Sequence, residues 1–186
     1  MATIFSHAVA AASLGAAFPK PKPTRFWIYG MVCSMIPDVD VIGFRFGIRY
    51  GDMLGHRGFT HSIAFAVVLS ALASVTMKGR ERQVKWQILW PYLFLSTMSH
   101  GILDAMTSGG LGVAFFAPFV NTRYFFPFRP IRVSPIGSSF FSLRGLNVLE
   151  SEMLWIWIPS AVFALVMIWL RKVRKHHHLG SRLVTP

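Results

Sequence analysis

Acidic side chains are scarce in this chain. Its 186 residues include only seven aspartates and glutamates, and charged residues make up 14% of the total. That is well below the share in a soluble domain, while the apolar share of 53% and the mean hydropathy of +0.49 lie above it. Cysteine is nearly absent: the single Cys33 rules out an intrachain disulfide framework. No His-Glu-x-x-His motif occurs, which removes the commonest zinc-protease signature. No basic residue precedes the first apolar stretch, so it does not read as a cleaved signal peptide.

Long uncharged apolar runs are present: residues 1–19, 26–37, 62–77, 86–99 (continuing to Leu103) and 153–170. They point to an all-α membrane protein of about five transmembrane or half-spanning helices, joined outside by a short irregular connector. Residues 1–175 read as one membrane-embedded domain and 176–186 as a disordered tail. Three basic connectors separate the runs, at Lys20 to Arg25, Lys78 to Lys85 and Arg171 to Lys175. The positive-inside rule puts these in the cytoplasm, with the C-terminus. The net charge of +12 is then mostly a topology signal and a grip on anionic lipid, so nucleic acid is not the first-choice partner.

The remaining ionisable groups fall on the opposite face. Three of the seven histidines form the run His176–His178, read as a solvated tail. The other four (His7, His56, His61 and His100), with Asp38, Asp40, Asp104, Glu150 and Glu152, land at the outer ends of the helices. Ionisable groups at apolar depth need partners. Imidazoles and carboxylates together suit a divalent metal, zinc before others. His100 and Asp104, four residues apart, share a helix face. Pro37 is expected to end its helix near Ile36 and leave Asp38 and Asp40 in a turn. A helix over 26–37 would be only about 18 Å long, against roughly 30 Å of hydrocarbon, which predicts a short hairpin with the first run. Thr60 is a candidate cap for the next helix. Arg57, between His56 and His61, is a candidate phosphate clamp. Arg123 and Arg129, amid Tyr124, Phe125, Phe126 and Phe128, are further candidates for a phosphate or a membrane interface.

Met35-Ile-Pro-Asp-Val-Asp40, Leu54-Gly-His-Arg-Gly-Phe-Thr-His-Ser62 and Ser99-His-Gly-Ile-Leu-Asp104 resemble the YdjM/YbcI group of bacterial inner-membrane proteins. Asn121 to Ile131 and Ser151 to Pro159 resemble its YbcI branch. Some members are under LexA control, and the group is taken to be metal-dependent hydrolases, distantly similar to zinc-dependent phospholipase C and its nuclease relatives. The resemblance implies one or two metal ions, with ligands among His7, Asp38 or Asp40, His56 or His61, His100 and Asp104. Glu152 is the one acid left to replace a second downstream His-x-x-x-Glu/Asp pair, since no histidine lies between 101 and 175. The expected activity is hydrolysis of a lipid or lipid-linked phosphate at the periplasmic face of the inner membrane. Whichever of Asp38 and Asp40 is not a ligand is a candidate general base. The alternatives are a non-catalytic membrane metal-binding or transport protein and a nuclease-like phosphodiesterase.

Overall fold

The computed structural model describes residues 1–18, 23–80, 84–135 and 137–182, without side chains at 78–80 and 175–182. Lys20, Lys22, Glu81 and Arg82 of the basic connectors, and the side chains of His176–His178, therefore lie outside the described residues. Among the described residues the regular secondary structure is helical apart from two isolated bridges. The helices are α1 (Ile4–Gly15), α2 (Thr24–Met35), α3 (Ile63–Arg80), α4 (Trp86–Ala105), α5 (Leu143–Glu152) and α6 (Ile158–Arg182). Each apolar run of the sequence supplies one of them, except that the last run lies in the continuous rod from α5 to α6. The rod is interrupted only by a π-helical turn, Met153–Trp157. α6 continues to Arg182, through the start of the segment read as a tail.

α4 is central and packs against α1, α2 and α3, while α6 lies against α1. Small residues make the close approaches possible, as they do between helices in a membrane. A Cβ added at Gly30 of α2 would lie 2.0 Å from the hydroxyl oxygen of Tyr92 on α4, and both residues are buried. Gly30→Ala is therefore expected to cost about 1–3 kcal/mol by overpacking. An unchanged thermal midpoint in detergent would refute that. Phe26, Cys33, Met77, Leu89, Tyr92 and Leu93 form an apolar core away from the histidines. Ala2, Ala10, Ile131 and Ile156 form a second, smaller one.

The second apolar run departs from expectation. α-Helical pairing stops at Met35 as Pro37 requires, yet the chain does not turn. It continues as a 3-10 helix, Ile36–Phe46, closed by Gly47 in the left-handed region (φ 79°). Thr24–Phe46 is thus one 23-residue element, long and apolar enough to cross a membrane, as is Leu143–Arg174. α1 and α2 still pack together as the expected hairpin, but the second arm runs on past Met35, and Asp38 and Asp40 sit on a helix rather than in a turn. A 3-10 run of this length is unusual. At 3.0 residues per turn, positions 38 and 40 point in different directions.

The connector between α4 and α5 is long, running from 106 to 142. Its backbone is tied down at many points: Ile63 N–H donates to the Phe115 carbonyl at 3.0 Å, Phe126 N–H to Ala105 at 3.0 Å and Ser134 N–H to Met1 at 2.9 Å. Val113 and Tyr124 exchange both backbone bonds at 2.9 Å. The connector caps one end of the bundle, and the candidate residues lie beneath it.

Candidate metal centre

Four elements converge under this cap. α1 contributes His7, the 3-10 helix Asp38 and Asp40, the loop before α3 His56, Arg57 and His61, and α4 His100 and Asp104. One ligand atom from each of Asp38, His61, His100 and Asp104 lies within 4.8 Å of the others, and all four residues are buried. Asp40, His56 and His61 form a second group on the same criterion. His61 belongs to both.

Hydrogen bonds fix how the two central imidazoles face. His100 Nδ1 lies 2.6 Å from the Ser34 carbonyl, which can only accept, so Nδ1 carries the proton. The carbonyl is free because its 3-10 partner would be the N–H of residue 37, and Pro37 has none. Thr60 Oγ1 donates to Asp40 Oδ2 at 2.6 Å, so its contact with His61 Nδ1 at 3.0 Å must be one in which the ring donates. Asp40 Oδ2 lies 3.2 Å from the same Nδ1. Both rings therefore turn an Nε2 lone pair inward. These two Nε2 atoms are 3.0 Å apart. Facing lone pairs at that distance repel unless a metal ion lies between them or one ring takes up a second proton and donates to the other. The carboxylates of Asp38 and Asp104 border the same point: Asp38 Oδ1 is 3.3 Å from His100 Nε2, and Asp104 Oδ2 is 3.6 Å from His61 Nε2.

Three carboxylates (Asp38, Asp40, Asp104) and one guanidinium (Arg57) are buried together, which leaves two negative side-chain charges unbalanced. A single divalent cation offsets them. His61 shows the same deficit. Burial opposes its charge, but the surrounding carboxylates of Asp104, Asp38 and Asp40 outweigh that and push its pKa up to about 10, so that with no metal between the rings His61 would itself take up a proton at Nε2. Both Asp38 oxygens and both His7 nitrogens are buried without a hydrogen-bond partner. His7 stacks on His100 with ring centroids 3.7 Å apart and places Nε2 3.7 Å from Asp104 Oδ1. The donor set, imidazole nitrogens with carboxylate oxygens, fits zinc or a similar borderline metal.

Asp40 holds ligands rather than facing the centre. Its Oδ1 bonds His56 Nδ1 at 2.7 Å, and its Oδ2 accepts from Thr60 and, at 3.2 Å, from the Arg57 backbone N–H. With both oxygens engaged it orients His61 and His56 as a supporting carboxylate does at a metal site. Burial lowers the pKa of His56, against the opposing pull of Asp40.

Several expectations change. Arg57 does not clamp a ligand: it is fully buried, with Nε 3.0 Å from Asp104 Oδ2 in an ion pair. Its terminal nitrogens donate to the Gly109 carbonyl and to Thr107 Oγ1, both at 2.9 Å. It adopts φ 63°, rare for a side chain of this size. Gly110 must be glycine beside it, since a Cβ there would lie 2.8 Å from an Arg57 nitrogen. Arg123 is likewise occupied, donating to the carbonyls of His56, Tyr50 and Asp52. Arg129 is exposed and stacks over Phe125, 4.6 Å from the ring centre. Ser62, not Thr60, caps α3, accepting from Phe65 N–H at 3.1 Å.

Glu152 is buried but does not reach the centre. Its carboxylate accepts from Thr3 N–H, Thr3 Oγ1 and Ser6 Oγ at the start of α1, where the helix dipole favours an anion. Trp157 Nε1 donates to the same Ser6 hydroxyl at 2.7 Å, so Glu152 and the π-helical turn fasten the long rod to α1. Glu152→Ala is expected to destabilise by about 1–3 kcal/mol through the orphaned Thr3 N–H. It should leave metal binding intact, and loss of metal stoichiometry in that variant would restore Glu152 as a ligand. Sequence reading missed Asp40 as a supporting group and Ser34 altogether. Ser34 acts through its backbone carbonyl, which leaves no residue-type signal.

The profile of the YdjM inner membrane protein family matches residues 1–176. The chain belongs to the YdjM family of inner membrane proteins. A relative, inner membrane protein YbcI of Escherichia coli (strain K12), is 36% identical over 174 residues, covering 92% of this chain and all of the relative. No solved structure matches the chain significantly. The YdjM assignment places the molecule in the inner membrane. It accounts for the apolar side chains exposed on α3 and α6, such as Leu72 (62%), Leu165 (66%) and Trp169 (62%), which would be costly in water and are at home in lipid.

Proposed function

We propose that this YdjM-family chain is a membrane-embedded, metal-dependent phosphoesterase acting on a lipid or lipid-linked phosphate at the periplasmic face of the inner membrane. The observation that carries the metal is the pair of inward Nε2 lone pairs 3.0 Å apart between two buried carboxylates. Asp38, His61, His100 and Asp104 would hold one ion, and His7 stands beside them for a second or as a further ligand. A divalent metal, when bound, supplies Lewis-acid polarisation and activates water at neutral pH. The chain's own residues prepare that centre. Asp40 and the Ser34 carbonyl set the two imidazole tautomers, Arg57 fixes Asp104, and the connector keeps bulk water off. Asp38, whose oxygens carry no hydrogen bond, is the carboxylate free to ligate or to take a proton.

The polar groups end at this centre, which supports catalysis over metal transport. Below it lies the apolar core around Phe26, Leu89 and Leu93. The buried Ser74, Ser96 and Thr97 there bond back to backbone carbonyls of their own helices. In the proposed orientation all basic connectors face the cytoplasm, with the C-terminus. Metal analysis of purified protein, coupled to a screen of phosphoesters in detergent, tests the activity. Metal-loaded protein that hydrolyses none of them would leave only a binding role. Cysteines introduced near Gly51 and Asn121 should react with an impermeant thiol reagent in intact cells, and one at Lys78 should not; the reverse pattern inverts the orientation.

A further inference from the structure

The centre has an apolar doorway. A cavity of about 400 Å³ lies between the N-terminal end of α1, the 3-10 helix and the segment from Ser134 to Phe141. Its walls include Phe5, Met35, Ile42, Pro135 and Phe140, and of the metal-centre side chains Asp38 alone lines it. Asp38 is only 6% exposed, yet both its oxygens are unpartnered. The remaining ligands, His61, His100 and Asp104, are 0–3% exposed. This cavity is therefore where a molecule from outside meets the centre. Its volume lies within the range of small-molecule sites. At its mouth, Phe5 is 59% and Phe141 88% exposed, and the exposed apolar Leu143 (80%) and Leu146 (62%) of α5 continue from Phe141. In an inner membrane protein such a rim is covered by lipid.

We infer that this groove is the chain-binding subsite of an amphipathic lipid phosphate, which enters sideways from the bilayer. Its hydrocarbon chain lies along Ile42, Met35 and Phe140, and its phosphate reaches the metal centre at Asp38. The inference rests on the phosphoesterase reading for what happens to the phosphate, but not for where the chain binds. It also fits the engagement of Arg57 and Arg123, the arginines beside the centre among the described residues, with protein groups. Selectivity comes from the chain, and the phosphate is left to the metal.

The test uses the full-length protein in vesicles of phosphatidylethanolamine and phosphatidylglycerol. These contain a long-chain alkyl phosphate with a photoreactive diazirine at the chain end. After irradiation, the label is expected within segments 35–42 and 134–141. Ile42→Trp, which fills the groove, should reduce labelling at least about ten-fold while metal content stays unchanged. Ile42→Leu should restore it. If Ile42→Trp is not recovered folded, Phe140→Trp serves the same purpose. Label confined to the lipid faces of α3 and α6, or full labelling of folded Ile42→Trp, overturns the inference. Release of inorganic phosphate from the same long-chain alkyl phosphate, measured in parallel, separates the two ideas. Groove labelling without turnover rejects the phosphoesterase reading alone, and turnover with label elsewhere rejects the groove alone.

Discussion

His61→Ala is expected to abolish stable metal binding, and His100→Ala to lower it by at least about ten-fold. His61 touches every part of the centre: its Nε2 lies 3.0 Å from that of His100, 3.6 Å from Asp104 and 3.7 Å from Asp38, while its Nδ1 is held by Asp40 and Thr60. Removing it leaves three of the four inward groups, two carboxylates and one imidazole, a set with a single nitrogen that is poorer than zinc's usual three-ligand sites and lacks the ring that Asp40 holds in place. Asp40→Asn provides the graded control. It keeps the shape but replaces an accepting oxygen with an amide donor, frees the tautomer of His61, and should weaken metal affinity by about 10–100-fold. His177→Ala should change nothing. Chelator competition on purified protein, followed by elemental analysis, orders the four variants. Full metal retention by His61→Ala would make the cluster a hydrogen-bonded core and sink the metal reading.

Arg57→Ala is expected to cost about 3–5 kcal/mol, because it leaves Asp104 as a buried charge without its guanidinium. Arg57→Lys keeps the charge but loses the fork that holds Asp104, Thr107 and Gly109 at once, so it too should destabilise and lower metal affinity. Arg57→Gly separates backbone from side chain. It loses the same contacts as alanine but relieves the left-handed φ of 63°, and should be more stable than Arg57→Ala by about 1–2 kcal/mol. Thermal midpoints and metal stoichiometry read all three. If Arg57→Lys keeps stability and metal but loses turnover on a verified substrate, Arg57 faces the substrate after all, against the geometry described above.

How far the primary structure reaches is clearest at individual residues. Five uncharged apolar runs determine the helices, because a segment without charge cannot be placed otherwise in a bilayer. The i,i+4 spacing of His100 and Asp104 puts both on the buried face of α4, where they are found. Clustering of imidazoles and carboxylates at the run ends marks the centre for the same reason: such groups at apolar depth require one another. The Glu152 reading failed because an acid buried near a metal centre and an acid buried on a helix N-terminus look alike in one dimension. The Arg57 reading failed because a motif gives neighbours in sequence, and the arginine's partners, Asp104, Thr107 and Gly109, come from another helix and its following loop.

The order of residues is enough to set the class of protein and the residue types that must meet. Which atom of each residue faces inward depends on the folded chain. That choice follows from long-range hydrogen bonds. The Ser34 carbonyl, freed by Pro37, turns His100, and Asp40, aimed away from Asp38 by three-residue helical geometry, turns His61. No local propensity encodes a ring's protonated nitrogen. It is fixed only when separate chain segments, such as those of Ser34 and His100 or of Asp40 and His61, are brought within a hydrogen bond of each other.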